Sequence, residues 1–169
     1  MTTSRRASDP ILATSSASPG RRAVRPAAWM IVAMVLTLGL IADAAYLTWV
    51  HYQPAALVCS VNGGCHTVQD SRYAMLGPVP VAALGLALSV VLLALGLLRW
   101  LRPALAPAVS VAMFGLLVGA AIYYGYLTHI ELNVLHAICQ WCVLSAVLTV
   151  ALLVTEGIGL WRQLGDLPE

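Results

Sequence analysis

Apolar residues fall into four long blocks along the chain, and polar residues collect between them. The blocks cover about Ala28–Val50, Val79–Leu98, Leu105–Leu127 and Cys139–Leu160. A helix that rises about 1.5 Å per residue needs roughly 20 apolar residues to cross a hydrocarbon core about 30 Å thick. A helix also satisfies its own backbone hydrogen bonds where water is absent. The pattern therefore predicts an all-α integral membrane protein built as a four-helix bundle.

The composition supports a membrane domain and argues against a soluble one. Only 9% of the 169 residues are charged and 60% are hydrophobic, whereas a soluble chain carries about 25% charged residues. The length suits a single domain, and we expect it over residues 28–161. Residues 1–27 are predicted to be a disordered cytoplasmic tail, and residues 162–169 a second cytoplasmic tail. Membrane lipid is the expected surroundings of the bundle, and no nucleic-acid partner is expected.

The basic residues predict the orientation of the bundle. All nine are arginine, and short flanks rich in arginine stay in the cytoplasm. The arginines on the side assigned to the cytoplasm are Arg5, Arg6, Arg21, Arg22, Arg25, Arg99, Arg102 and Arg162. Arg72 alone falls on the other side. Both termini are therefore predicted to be cytoplasmic, and the loops 51–78 and 128–138 to be outside.

A signal peptide is an alternative interpretation of the first apolar block. The block contains Ala42-Asp43-Ala44, a weak pattern for cleavage after small residues. The block is long for a signal peptide and continues through Ala45–Val50, which favours a membrane span.

Two cysteine pairs on the predicted outer side carry the candidate chemistry. They are Cys59-x5-Cys65 and Cys139-x-x-Cys142. Zinc knuckles usually lie about 12–20 residues apart, whereas 73 residues separate Cys65 from Cys139, so we expect no metal site. A Cys-x-x-Cys ring opens and closes readily, and a helix N-terminus favours a thiolate at Cys139. A redox-active pair is favoured; structural disulfides, or a metal-binding, transport or scaffold protein, are the alternatives.

The same residues, taken together, resemble a known family. The positions that carry the resemblance are Cys59, Cys65, Ser71, Tyr73, Gly77, Pro80, Gly85, Cys139 and Cys142. Their spacing and topology are similar to those of the vitamin K epoxide reductase family over about residues 28–161. The resemblance implies a four-helix bundle around a quinone, capped by the first outer loop. The mixed polar and apolar residues of Thr67–Leu76 could form a short surface helix in that loop.

The resemblance also implies a role for each cysteine. Cys59 would exchange disulfides with a DsbA-like thioredoxin-fold partner, and Cys65 would pass the electrons to Cys139. Cys142 would react with a quinone of the menaquinone or ubiquinone type, and Ser71 would support the exchange. The chain would then be a quinone-dependent disulfide oxidoreductase.

Two departures indicate which branch of the family the chain resembles. Ala146 stands where epoxide-reducing animal members carry a tyrosine, and the second span lacks their asparagine. The chain therefore resembles the bacterial branch, which supports oxidative folding. That resemblance implies a bacterial cytoplasmic membrane with the active site on the extracytoplasmic side.

Polar residues near the outer ends of the spans complete the candidate site. Asp43 lies inside the first span, where an ionisable group is costly and is a functional candidate; it could relay a proton to a quinone, or it could hydrogen-bond and pack. Tyr123 and Tyr126 are predicted quinone contacts, although interface anchoring also explains them. Glu131 and Asn133 are interpreted as ordinary polar groups of a loop.

Overall fold

The computed structural model describes residues 28–60 and 64–165 of the protein. Within this part the α-helices are α1 (Ala28–Tyr52), α2 (Gly64–Gln69), α3 (Val81–Leu101), α4 (Ala106–Ile130) and α5 (Gln140–Gly165). All except α2 are long and apolar enough to cross a membrane, which confirms the predicted all-α membrane bundle. The predicted tail at residues 1–27 lies outside the described residues. Helix α5 continues to Gly165, through the first residues of the predicted C-terminal tail.

The long helices pack so that α1 contacts both α3 and α5, and α4 contacts α5. Their shared core is apolar, and its buried residues include Leu40, Leu92, Met113, Leu117 and Leu152. Large apolar side chains also cover the outside of the bundle. A soluble protein rarely exposes so much apolar surface, whereas lipid covers it without cost.

The described residues between α1 and α3 fold over one end of the bundle, and we call them the capping segment (residues 53–60 and 64–80). It contains α2, a 3-10 turn at Arg72–Ala74 and two short antiparallel strands, β1 (Met75–Leu76) and β2 (Val79–Pro80). Gly77 turns the chain between the strands with φ +62°, a conformation that glycine adopts without strain.

The surface helix lies earlier in the chain than the predicted range Thr67–Leu76. It occupies Gly64–Gln69, because the chain turns immediately afterwards. The Ser71 hydroxyl donates to the Val68 carbonyl at 2.7 Å, in competition with a continued helix.

The connection between α4 and α5 is a tight helical turn. Helix α4 passes directly into a π-helical turn at Glu131–Leu135, which ends at His136 with a left-handed φ of 49°. Cys139 precedes α5 as its N-cap, since its carbonyl accepts the Val143 N–H at 3.0 Å. The predicted first residue of the fourth span is thus the observed N-cap, one position before α5 begins at Gln140, within the usual uncertainty of helix ends.

A buried ion pair joins the helices at the end opposite the cysteines. Arg99 lies one residue beyond the predicted second span but is inside α3 and only 5% exposed. Its guanidinium donates to both oxygens of the Glu156 carboxylate, at 2.6 and 3.0 Å. It also donates to the Ser110 hydroxyl at 3.3 Å and lies 4.6 Å from the Trp29 ring centre. One side chain therefore links α3 to α5, α4 and α1.

We predict that Glu156→Gln destabilises the bundle by roughly 3–5 kcal/mol, because it leaves the buried Arg99 charge without its partner. Thermal unfolding of the purified protein in detergent measures the effect. The double variant Arg99→Met/Glu156→Leu removes both charges and should recover most of the lost stability. An unchanged unfolding temperature in Glu156→Gln would show that the pair contributes little.

Candidate functional site

The cysteines of both pairs meet at the capped end of the bundle. Cys59 and Cys65 form a disulfide with a Cα–Cα distance of 5.9 Å, and Cys139 and Cys142 carry free thiols. Cys65 and Cys139 are both 0% exposed and belong to the same apolar cluster. The fold therefore brings the disulfide of the capping segment and the dithiol of α5 into one buried core.

Hydrogen bonds fix the capping segment to the start of α5. The Trp141 indole N–H donates to the Val58 carbonyl at 2.8 Å. The Gln140 side chain accepts the Ser60 N–H at 3.1 Å and donates to Val58 at 3.4 Å. The Tyr46 hydroxyl accepts the Val58 N–H at 3.0 Å. The residues on both sides of Cys59 are therefore anchored to α5 and α1.

Helix α2 approaches the chain ahead of α5 without any side chain between them. A Cβ built on Gly64 would lie 2.6 Å from the Ile138 carbonyl oxygen and 3.1 Å from the Ile138 nitrogen. Backbone atoms cannot move aside as the end of a flexible side chain can. Glycine at position 64 thus allows the backbone of α2 to contact the backbone of Ile138. This contact places Cys65 in the same buried cluster as Cys139.

The surroundings of Cys139 favour its thiolate. Burial disfavours the charge, as does the nearby Glu131 carboxylate, yet the pKa of the Cys139 thiol is lowered. The main cause is a hydrogen bond from the Cys142 thiol, and backbone N–H groups of Cys142 and Trp141 add to it. The Cys142 N–H lies 3.4 Å from the Cys139 sulfur, the position of an N-cap bond. Cys139 is therefore the stronger nucleophile of this pair.

Glu131 belongs to the site, and its interpretation as an ordinary loop residue was wrong. Its side chain is buried, 5% exposed, and one carboxylate oxygen accepts the Cys139 N–H at 3.1 Å. The carboxylate is also within hydrogen-bonding reach of the Cys142 thiol. The signal in the sequence was a carboxylate at the end of an apolar span. Asn133, by contrast, is exposed and bonds to His129.

A cavity of about 650 Å³, including its open mouth, lies between the helix ends and the capping segment. Its walls are mainly apolar, with Cys142 on one side. The polar or ionisable side chains along it are Gln69, Ser71, Tyr73, Tyr124, Glu131, Cys142 and Ser145. Gly85 also lines it, and a Cβ there would lie 3.5 Å from the Tyr124 hydroxyl. The lack of a side chain at Gly85 keeps this part of the cavity open.

Ser71, Asp43 and the tyrosines take different positions relative to this cavity. Ser71 lines it. Asp43 lies behind the wall, where it accepts a short hydrogen bond from the Ser145 hydroxyl, and its other oxygen has no hydrogen-bond partner among the described residues. Tyr123 lines a neighbouring cavity on the other side of Gly85 and Tyr124, and Tyr126 is half exposed. Tyr124, rather than these two, lines the cavity beside Cys142.

The comparison with known families agrees with this arrangement. Residues 12–156 match the vitamin K epoxide reductase family, a range that contains both cysteine pairs, Glu131 and every residue that lines the cavity. The match covers most of the 169 residues. This protein is therefore a member of the vitamin K epoxide reductase family and a membrane thiol–disulfide oxidoreductase.

Proposed function

We propose that the protein oxidises the thiols of a DsbA-like thioredoxin-fold protein and passes the electrons to a quinone, which supports disulfide formation outside the cytoplasm. The observation that carries the proposal is the order of the cysteines. Cys59 is partly exposed, Cys65 and Cys139 are buried together, and Cys142 lines an apolar cavity. A chain of thiol exchanges can follow this order from solvent to the membrane interior.

The first exchange takes place at Cys59. A partner thiolate attacks its sulfur, forms a mixed disulfide and releases the Cys65 thiolate. The second partner thiol then attacks the mixed disulfide, so the partner leaves oxidised and both capping-segment cysteines are reduced. The neighbouring residue Val58 is 63% exposed, which gives a partner an apolar contact beside the reactive disulfide.

The second exchange transfers the electrons into α5. The Cys65 thiolate attacks Cys139 when Cys139 and Cys142 are joined, and the Cys142 thiolate is released. Cys59 then attacks Cys65, which restores the outer disulfide and releases Cys139. In this scheme, an outer disulfide together with two free thiols at the start of α5, the arrangement of the four cysteines here, is the state expected after this transfer.

The cavity beside Cys142 suits a quinone head group of the menaquinone or ubiquinone type. Its walls are mainly apolar, the bare Gly85 leaves space, and the Tyr124 hydroxyl can donate to a carbonyl. A bound quinone supplies a sink for two electrons and two protons. We propose that Cys142, Tyr124 and Ser145 contact the quinone, and that Ser71 lies above it in the capping segment. Asp43 acts through Ser145, because its carboxylate orients the Ser145 hydroxyl and can exchange a proton with it.

The proposed orientation places the cysteine end outside the cytoplasm, in a bacterial cytoplasmic membrane. Arg99 and Arg102 lie at the opposite end of the bundle, and basic flanks stay inside. An oxidising compartment at the cysteine end suits a protein that makes disulfides.

We predict that Cys142→Ser lowers quinone reduction by at least about 100-fold, because it removes the sulfur that faces the cavity. The assay follows quinone absorbance as reduced DsbA-like protein is oxidised by the enzyme in detergent. The unfolding temperature of the variant is the control and should not change. If the wild type reduces no quinone while its helices are folded and its thiols intact, a scaffold or metal-binding protein becomes the better interpretation.

We predict that Gly64→Ala slows transfer between the two cysteine pairs, since the added Cβ must push α2 away from Ile138. A displacement of about 1 Å can cost on the order of 100-fold in rate. Rapid mixing with a reduced partner, acid quench and mass spectrometry of alkylated peptides would time the reduction of Cys139 and Cys142. Gly125→Ala is the matched control, because a Cβ there meets nothing within 4 Å. Equal rates in both variants would contradict the role of the backbone contact.

We predict that Cys139 in the reduced protein is alkylated with a midpoint below its ordinary pKa of 9.0, because Cys142 stabilises the thiolate. A lowered pKa keeps the thiolate present as the pH falls, until the pH passes the lowered value. Cys142→Ala removes the donor and should raise the midpoint, whereas Cys142→Ser keeps a hydroxyl donor and should raise it less. Iodoacetamide labelling across pH, read by peptide mass spectrometry, gives the midpoints. A wild-type midpoint at or above 9.0 would contradict the assignment.

A further inference from the structure

The proton on Cys142 has two acceptors in the structure. The Cys142 thiol donates to the Cys139 sulfur, and the Glu131 carboxylate is also within its reach. The destination of this proton decides whether the pair can react. If the proton moved to Cys139, that sulfur would lose the charge it needs to close the disulfide.

We propose that Glu131 is a catalytic residue that accepts the Cys142 proton and returns it to the quinone oxygen in the cavity. The inference rests on the proposed function, because it names the proton acceptor for its last step. Glu131 touches the reacting thiol and lines the same cavity, so one carboxylate reaches both ends of the transfer. Its bond to the Cys139 N–H holds it in this place.

The step balances in electrons and protons. The two sulfurs lose two electrons as the Cys139–Cys142 bond forms, and the quinone gains both. Glu131 carries one proton from Cys142 to the quinone. The quinone takes its second proton from water, which had received one proton earlier when Cys139 ionised. Cys139 stays ionised throughout, so it can attack Cys142 as the electrons leave.

The other ionisable groups are less suited to this task. Tyr124 and Tyr73 line the cavity, but a phenol is a proton donor at neutral pH and not a base. Arg72 is at the surface, where it bonds to the Tyr73 hydroxyl. Asp43 lies behind Ser145 and does not line the cavity. Among the described residues that line the cavity, Glu131 is the one carboxylate.

A purely structural role for Glu131 is the competing explanation, and Glu131→Gln separates the two. The amide oxygen still accepts the Cys139 N–H, so the turn should keep its fold, but the amide cannot take a proton. We expect quinone reduction to fall by about 10²–10⁴-fold near neutral pH, the usual contribution of a positioned acid or base. The deficit should shrink as the pH rises, because hydroxide can then remove the thiol proton. Glu131→Asp should recover part of the rate.

Asn133→Ala is the matched control, since Asn133 lies on the same turn with its side chain exposed. Disulfide exchange between the partner and Cys59 should be unchanged in every variant, so its rate reports an intact enzyme. A pH-independent loss in Glu131→Gln, or no loss while the wild type reduces quinone, would overturn the role of Glu131 alone. No quinone reduction by the wild type would overturn the proposed function itself.

A second readout needs no quinone. Infrared difference spectra between the dithiol and disulfide forms of the Cys139–Cys142 pair should contain a carboxyl band, because oxidation removes the thiol that hydrogen-bonds to Glu131. The band should persist in Asn133→Ala and vanish in Glu131→Gln. An identical spectrum in Glu131→Gln would show that the carboxylate does not sense the thiol, and would overturn the proposal.

Discussion

The candidate site depends on one backbone contact, the approach of Gly64 to Ile138. Two segments separated by the whole of α3 and α4 meet there without a side chain between them. Since Cys65 follows one of these residues and Cys139 the other, the contact determines that the two pairs share one buried core. The hydrogen bonds of Trp141 and Gln140 to Val58 and Ser60 then hold the capping segment in the position that the contact allows.

The end of α4 supplies the second element of the site. A π-helical turn continues α4 beyond Ile130 and places Glu131 beneath the N-terminus of α5. Without such a turn, the Cys139 N–H would be one of the unpaired donors that every helix start exposes. The carboxylate satisfies this donor and at the same time reaches the dithiol, so the bond that stabilises the helix start also positions an acid–base group.

The two ends of the bundle use buried polar groups differently. At the opposite end, Arg99 and Glu156 neutralise each other and join the helices, with no cysteine or histidine among the partners described. At the cysteine end, Glu131 and Asp43 are buried with no basic partner among the described residues, and their contacts there are a thiol, a hydroxyl and a backbone N–H. Carboxylates without a cation can change protonation more easily than those in an ion pair, which suits the end where thiols react.

The sequence by itself determined the bundle, the cysteine pairs and the family, because a span of about 20 apolar residues and the spacing of cysteines are local properties of the chain. The tertiary structure decided which polar groups meet those cysteines. Tyr123, Tyr124 and Tyr126 look alike in sequence, and only the rotation of α4 shows that Tyr124 lines the cavity. The sequence predicts a loop position for Glu131, and only the π-helical turn places this side chain beside the cysteines. The sequence assigns Gly64 to a tight turn between Cys59 and Cys65, and only the packing shows its contact with Ile138. Each of these assignments depends on segments far apart in the chain, whose relative placement is fixed only by packing.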